Sequence, residues 1–335
     1  MTAFELTGLV RVPLLILHQA EEVGLDRKKL MAAADLTDEE LSDPDGRVPL
    51  SKFVRVWRAA AREAPPSFGL RLGKSLEVRQ FGLVGYAILH SASLRQALQR
   101  LARYSRIIVE IVQVRFQEKP PLGLVSIGGL PLIDEMRHPA DARLASIITI
   151  ARQITGEEIN PVEVCFPYHR PMQIADYEAV FRAPLRFGRP TAQLVFREVD
   201  LDRPVVAADE TLAGYLDHLA EEVLDSLSKA GSLAEQARRA IWRDLSNGSP
   251  NLEQTASRLG MSARSLQRRL RAEWTSFASI LDELRHELAL HLLRDPGLAV
   301  YEIAFLLGYS EPSTFFRAFR RWEQTSPLEF RQSLA

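Results

Sequence analysis

Leu252-Glu-Gln-Thr-Ala256-Ser-Arg-Leu-Gly260-Met-Ser262-Ala-Arg264-Ser-Leu266-Gln267-Arg268-Arg-Leu270-Arg271 has a counterpart downstream, Val300-Tyr-Glu-Ile303-Ala304-Phe-Leu-Leu307-Gly308-Tyr-Ser-Glu-Pro312-Ser313-Thr-Phe315-Phe316-Arg317-Ala-Phe319-Arg320-Arg321. Each stretch runs from a short apolar-periodic helix through a glycine and a serine-bearing turn into an arginine-rich helix, the layout of a helix-turn-helix. Ala256 and Ala304 stand four residues before the glycines, where a small side chain lets the second helix cross the first closely. Gly260 and Gly308 suit the left-handed backbone that ends a helix. Ser262 is placed to cap the helix that follows. In that helix Leu266 and Leu270 share one face, and Arg264, Arg268 and Arg271 share another. In the second unit Phe315 and Phe319 form the inward stripe, while Ser313, Arg317 and Arg321 point away. A helix with one apolar seam and one guanidinium face suits a DNA groove, because arginine bonds a guanine edge through two donors or clamps a phosphate. A single arginine face is most often merely solvated. Two in tandem, each placed alike, argue for double-stranded DNA as partner.

Residues 232–332 resemble the tandem DNA-binding domain of the AraC/XylS family of bacterial transcription regulators. Gly308 through Trp322, followed by Ser326-Pro327-Leu-Glu-Phe330-Arg331, is similar to that family's C-terminal signature. The resemblance implies base contacts from Arg264, Gln267 and Arg268 in the first unit. In the second it places Pro312, Ser313, Phe316 and Arg317 at base-reading positions. Pro312 has no side-chain donor, so this unit is expected to read fewer bases, and Phe316 suits a thymine methyl. Ser262, Arg271, Arg320 and Arg321 are the phosphate candidates. Trp274 and Gln324 stand where the family often has glycine, which predicts helix ends that are less tightly turned or differently capped.

The chain of 335 residues has room for two domains, and its 46% hydrophobic and 25% charged content is that of a globular protein. Net charge is −1 overall. From Gly231 onward there are 14 arginines, no lysine and 12 acids, a balance of +2, so nucleic-acid binding rests on placed arginines rather than bulk charge. A single cysteine, Cys165, excludes an internal disulfide and fits a reducing cytoplasm. The first residues lack a signal-peptide pattern, and no apolar run is long enough to span a bilayer, so no membrane partner is expected.

Along the front part, residues 5–35 read as helical, as do Leu50–Ala64, Phe81–His90 and Ser93–Ser105. Alternation then predicts strands over Ile107–Glu118 and Leu122–Gly128 with Pro120-Pro121 in the turn between them. A helix over Pro139–Thr155, a strand over Val162–Pro167, a helix over Ile174–Phe181 and a strand over Ala192–Phe196 complete an α+β domain. Phe181-Arg-Ala-Pro-Leu-Arg-Phe187-Gly188, with Leu194-Val-Phe196, Leu201-Asp-Arg-Pro204 and Phe81-Gly-Leu-Val-Gly-Tyr86, resembles the effector domain labelled arabinose-binding type in one branch of the same family.

The expected architecture is therefore two domains. Residues 1–208 form the α+β effector and dimerisation domain, 209–231 a connecting helix, and 232–335 an all-α domain. The last holds two helix-turn-helix units joined by a long helix over Ser279–Leu293, ended by Asp295-Pro-Gly297, with Leu281, Leu284, Leu288 and Leu292 as its core stripe. Asn247-Gly-Ser-Pro250 leads into the first unit. The Asp209–Ser228 helix either packs within its own domain or couples domains or subunits. Polar groups set in apolar segments, Tyr86, His90, Tyr104, His138 and Arg143, are candidates for a pocket that takes a small-molecule effector, although each also suits a hydrogen-bonded structural role.

No phosphate loop, nucleophile elbow or metal motif is present. His286 and His291 are five residues apart, the wrong spacing to share a metal, and Cys165 with His169 lacks clustered partners. No cofactor or metal is expected. The enzymatic rival is a DNA-alkyl-repair protein using Cys165, whose surroundings Val164-Cys-Phe-Pro-Tyr168 lack a nucleophile motif; a protein without catalysis is favoured. The alternative in another class is a ligand-independent regulator whose front domain serves dimerisation or partner binding. Family resemblance adds RNA polymerase, homodimerisation and activation as expectations.

Overall fold

Register and helix crossings place the working parts of this chain. The computed structural model describes residues 6–128, 137–229, 232–245, 250–294 and 298–333. They fall into two compact units that divide between Leu227 and Ser228.

The front unit is α+β. A two-stranded ribbon pairs β1 (Thr7–Leu9) with β2 (Arg47–Pro49), around α1 (Arg11–Glu22) and α2 (Arg27–Ala34). Then come α3 (Leu50–Glu63), α4 (Phe68–Ser75), α5 (Gly82–Leu89) and α6 (Leu94–Ile108), whose N-cap Ser93 accepts from the Gln96 N–H as the sequence suggests. The hairpin β3 (Gln113–Lys119) and β4 (Leu122–Gly128) turns at Pro120-Pro121 and sets Val114 opposite Ile127. After α7 (Arg137–Thr155) the chain adds β5 (Glu163–Cys165), α8 (Ala175–Phe181), β6 (Leu185–Arg186), β7 (Ala192–Arg197) and α9 (Glu198–Leu201). Sheet order is β3-β4-β7-β5-β6, antiparallel except for β5 with β6. One sheet face meets the helices in a core that includes Val125, Leu194, Phe196, Leu144 and Ile148.

Three front-unit readings need correction. Residues 7–9 are a strand, not helix, because β2 and Glu110 take their backbone groups: the Glu110 N–H donates to Thr7 O at 3.0 Å, and the Leu50 N–H to Leu6 O at 2.6 Å. Ile107 and Ile108 finish α6 rather than start a strand, since isoleucine suits either period and Ile107 is buried on the helix. Helix α4 has no clear periodic signal in the sequence. Its Gly69 and Gly73 obscure the pattern, yet they are what brings α4 against α7. A Cβ at Gly69 would lie 2.2 Å from His138 O, and one at Gly73 2.5 Å from both Ala142 O and the Ala145 Cβ.

Helix α10 (Glu210–Lys229) packs on the front unit. Ala213, Ala220 and Leu227 are buried, Asp217 pairs with Arg100 at 2.9 Å, and Glu221 pairs with Arg103. Of the two readings of this helix, its inner face follows the first; Leu212 and Tyr215 stay exposed on its outer face.

The second unit is helical: α11 (Leu233–Leu245), α12 (Leu252–Arg258), α13 (Ala263–Ala272), α14 (Phe277–Leu292), α15 (Val300–Leu306), α16 (Pro312–Glu323) and α17 (Pro327–Ser333). The turn at 247–249 and the stop at Asp295-Pro-Gly297 lie outside the described residues. Gly260 and Gly308 have φ of +66° and +72°, and the residue after each donates its N–H to the small residue before it, Met261 to Ala256 O and Tyr309 to Ala304 O, both at 3.0 Å. Along α14 the buried stripe is Ile280, Leu284, Leu288 and Leu292; Leu281 is only half-buried, one place round the helix from the seam.

Trp274 and Gln324 correct another expectation. Both enter the left-handed region, at φ +59° and +58°, so the helix ends turn as tightly as glycine allows. A side chain there costs about 1 kcal/mol. Trp274 is 98% exposed and has no packing to lose. Trp274→Gly is therefore expected to stabilise the second unit by about 0.5–1 kcal/mol, read as a higher urea midpoint for that unit's transition.

Candidate DNA interface and effector cavity

The two recognition helices are α13 and α16. Ser262 caps α13, its Oγ accepting from the Ser265 N–H at 3.2 Å. Leu266 and Leu270 are fully buried, so the opposite face is forced outward. Arg264, Gln267, Arg268 and Arg271 are all exposed there. In α16 Pro312 occupies the first turn, where a missing N–H costs nothing. Phe315 and Phe319 are fully buried, and Ser313, Arg317 and Arg320 are exposed. Phe316 is half-buried, edge-on to Phe315 at 5.9 Å.

Arginines in this unit divide by task. Arg285 donates to Leu307 O and Gly308 O, both at 2.8 Å, and lies over the Tyr309 ring at 4.2 Å. Arg331 donates to Leu293 O and Leu298 O, Arg258 pairs with Asp244, and Arg238 pairs with Glu283 and Glu287. These hold helices together. Arg264, Arg268 and Arg271 have no ion-pair partner among the described residues, and Arg320 only lies near Glu329. Arg321 is the ion-paired member of the α16 arginines. It pairs with Asp282 of α14 at 2.6 Å, beside the Trp322 Nε1–H bond to the same carboxylate, and so ties α16 to the connecting helix.

In the front unit the structure separates the five pocket candidates. Tyr86 is 44% exposed. His90 donates through Nδ1 to Ala207 O at 2.8 Å. Tyr104 is buried, and burial, with Asp217, holds its hydroxyl far above its ordinary range. His138 is packed edge-on to Phe68 and accepts the Gly69 N–H at Nδ1, 3.4 Å away. Of the five, Arg143 stands in the wall of one cavity, its Nε donating to Pro139 O at 3.2 Å. That cavity, of about 160 Å³, lies among α1, α3, α6, α7 and the β3–β4 hairpin, with Phe53, Trp57, Leu98, Val114 and Ile147 in its walls. Its polar residues are Ser105, Arg143 and Ser146. Sequence reading missed both serines and the apolar walls, which look like any other core residues.

Next to the cavity, α7 carries a buried ionisable group that sequence reading did not single out. Asp141 is fully buried and accepts from the hydroxyls of Tyr168 and, at 2.7 Å, Tyr177, with Arg137 3.7 Å away. Burial raises its carboxyl to about 7 from an ordinary 3.8, despite the two tyrosine donors and Arg137. Burial, with help from Arg137, lowers His138 to about 4 from 6.5. The signs oppose. Asp141 contributes stability that is present below about 4 and lost as pH rises through about 7; His138 contributes stability that is present above 6.5 and lost as pH falls through about 4. Asp141→Asn is therefore expected to make the front unit more acid-labile than wild type between pH 7 and 5, and His138→Gln less so, each difference growing by about 1–3 kcal/mol across that window. Melting curves of the three proteins at several pH values check this.

Cys165 is buried at the end of β5, and burial first, then Glu163, pushes its thiol up to about 11. The thiolate that a nucleophile needs is thus disfavoured. Among the described residues no group of three metal-ligating side chains comes together, and no helix is long and apolar enough to cross a membrane.

Residues 24–205 match the arabinose-binding N-terminal domain of AraC transcription regulators, and residues 255–333 match a helix-turn-helix domain. The chain is 32% identical over 330 residues to the ornithine utilization regulator of Pseudomonas aeruginosa, covering 95% of this chain and 94% of that protein. It is 28% identical over 315 residues to the transcriptional regulator VirS of Mycobacterium tuberculosis, covering 92% of each. The crystal structure of transcriptional regulator CdpR from Pseudomonas aeruginosa overlays with a TM-score of 0.47 at 21% identity, over 94% of this chain and 97% of that one.

Proposed function

The chain belongs to the AraC family of DNA-binding transcription regulators, and from that we propose that it reads duplex DNA through α13 and α16 in successive major-groove segments while its front unit senses a small molecule. One observation carries the DNA side: Arg238, Arg258, Arg285 and Arg331 are engaged by carboxylates or carbonyls, whereas Arg264, Arg268, Arg271, Arg317 and Arg320 on the outer faces of α13 and α16 are exposed and, among the described residues, not ion-paired. Arg264, Gln267 and Arg268, with Ser313, Phe316 and Arg317, are the base readers. Arg271 and Arg320 contact phosphate, and Ser262 supports them at the start of α13. Arg321, held by Asp282, contributes chiefly by fixing α16.

Arg268→Ala is expected to cost about 1–3 kcal/mol on the preferred site and to relax one base position. Arg320→Ala is expected to weaken all sequences alike and to reduce the salt slope by about one. Titrations on specific and scrambled duplexes over a salt series separate the two, and equal loss on every sequence from both variants contradicts this sorting of contacts.

Ligand binding shifts the population competent for its operator. The protein acts in the cytoplasm as a homodimer, engages RNA polymerase and activates transcription. It performs no catalysis; the raised Cys165 thiol speaks against the repair alternative. The name of the Pseudomonas relative raises ornithine as an effector. A diamino acid brings two ammonium groups, and among the described residues the cavity walls offer them no carboxylate.

A further inference from the structure

We infer that Asp282 and His286 of α14 are positioning residues that fix the angle of α16, and with it the spacing of the two DNA contact blocks, an inference that rests on base reading by α13 and α16. The Asp282 carboxylate takes two neighbours on α16 at once. Arg321 Nη2 donates to Oδ1 at 2.6 Å, and the Trp322 Nε1–H donates to Oδ2 at 2.8 Å. One turn along α14, His286 Nε2 lies 2.6 Å from Glu323 Oε1, and its ring faces that of Trp322 with centroids 5.0 Å apart. Consecutive side chains at the end of α16 are thus held by two residues that share one face of α14. Arg285, on the same side, holds the turn before α16 through Leu307 O and Gly308 O. The second recognition helix is gripped at its far end and at the turn that leads into it.

Helix α14 also holds the first unit. Glu283 and Glu287 pair with Arg238 of α11, on the other side of the buried stripe of Ile280, Leu284 and Leu288. The start of α11 is tied in turn to the end of α13, where the Glu273 carboxylate accepts the Leu233 and Ala234 N–H groups at 3.0 and 2.7 Å. Both recognition helices are therefore referred to one rigid helix, and where these side chains stand around α14 sets their relative phase. The Asp282 and His286 side chains are 38% and 30% exposed, and the core beneath α16 is built from Phe315 and Phe319. Ion pairs this exposed add little stability. What they determine is orientation.

Selection of randomised duplexes by the full-length protein, with and without cell extract, supplies the probe. The enriched duplex is remade with one base pair added to or removed from the gap between its two blocks, which moves a block by about 3.4 Å and turns it by about 35°. Wild type is expected to bind the altered duplexes at least about tenfold more weakly. Asp282→Ala should shrink that penalty to about threefold or less, while base changes inside the second block still weaken its binding. His286→Ala should shrink the penalty part of the way, and it decides the matter if Asp282→Ala fails to fold. Phe316→Ala, which removes a base reader without touching α14, should lower affinity and leave the penalty at its wild-type size. An unchanged penalty in the α14 variants overturns the inference, as does a wild type indifferent to spacing or an enriched sequence with a single block. Loss of the penalty together with all second-block discrimination marks a merely structural role and also overturns it. No enriched sequence in any condition is a different failure: it removes base reading itself, and this inference with it.

Discussion

Phe319→Ala is expected to unfold the second helix-turn-helix and abolish specific DNA binding, at a cost of about 3–5 kcal/mol. The ring is fully buried. It packs edge-on against Phe315 at 5.8 Å, Trp322 at 6.2 Å and Phe330 at 5.5 Å, and so joins α16 to α17. No side chain in this cluster can fill the space left by a ring without leaving another gap, because each already holds a neighbour. A domain of this size has only about 5–15 kcal/mol of stability, so the loss takes a large share of it. Phe316→Ala is the internal control: Phe316 is half-buried and faces partly outward, so its removal is expected to lower affinity while leaving the unit folded. Urea denaturation followed by tryptophan fluorescence, alongside duplex titration, reads both effects, and the front unit's transition should not move in either variant.

The second large effect belongs to the front unit. Gly69→Ala and Gly73→Ala are each expected to destabilise it by about 1–3 kcal/mol or more, and Gly69→Leu to prevent its folding. The added Cβ at Gly69 would sit 2.2 Å from His138 O, a backbone atom that no rotamer change can move aside. At Gly73 the obstruction is again backbone and a methyl, Ala142 O and the Ala145 Cβ at 2.5 Å. Relief requires α4 and α7 to move apart, and α7 carries Arg143 and Ser146 into the cavity. Loss of ligand-dependent stabilisation should therefore accompany the fall in melting temperature. Non-specific duplex binding should survive, since the second unit has its own core.

The DNA-binding unit was legible in the sequence because its determinants are local. A glycine at the end of a helix, Ser262 three residues before the N–H it caps, and leucines or phenylalanines four apart each state their geometry within one turn. Trp274 and Gln324 were harder, since propensity disfavours what the tertiary fold imposes on them. The front unit was legible by element and less so by site. Strand β1 depends on a partner forty residues on, and α4 hides its identity in the glycines that make it useful. Of the pocket candidates, His138 and Tyr104 proved to be buried away from the cavity, among partners that sequence does not reveal, and only Arg143 reaches it. Polar residues inside apolar segments mark buried structure as readily as ligand contacts. Asp141 was invisible for a related reason: its shift arises from burial among Tyr168 and Tyr177, brought together by the fold from distant segments.

The central claim is that two helices of one chain read DNA bases in tandem. Retaining sheared genomic DNA on the purified full-length protein and sequencing what stays bound tests it most directly. The account predicts an enriched motif with two contact blocks about 10 bp apart, one helical turn, whose neighbouring genes also indicate the pathway of the effector. No enriched motif, with or without cell extract, contradicts it, and the exposed arginines of α13 and α16 would then be surface charge rather than base readers.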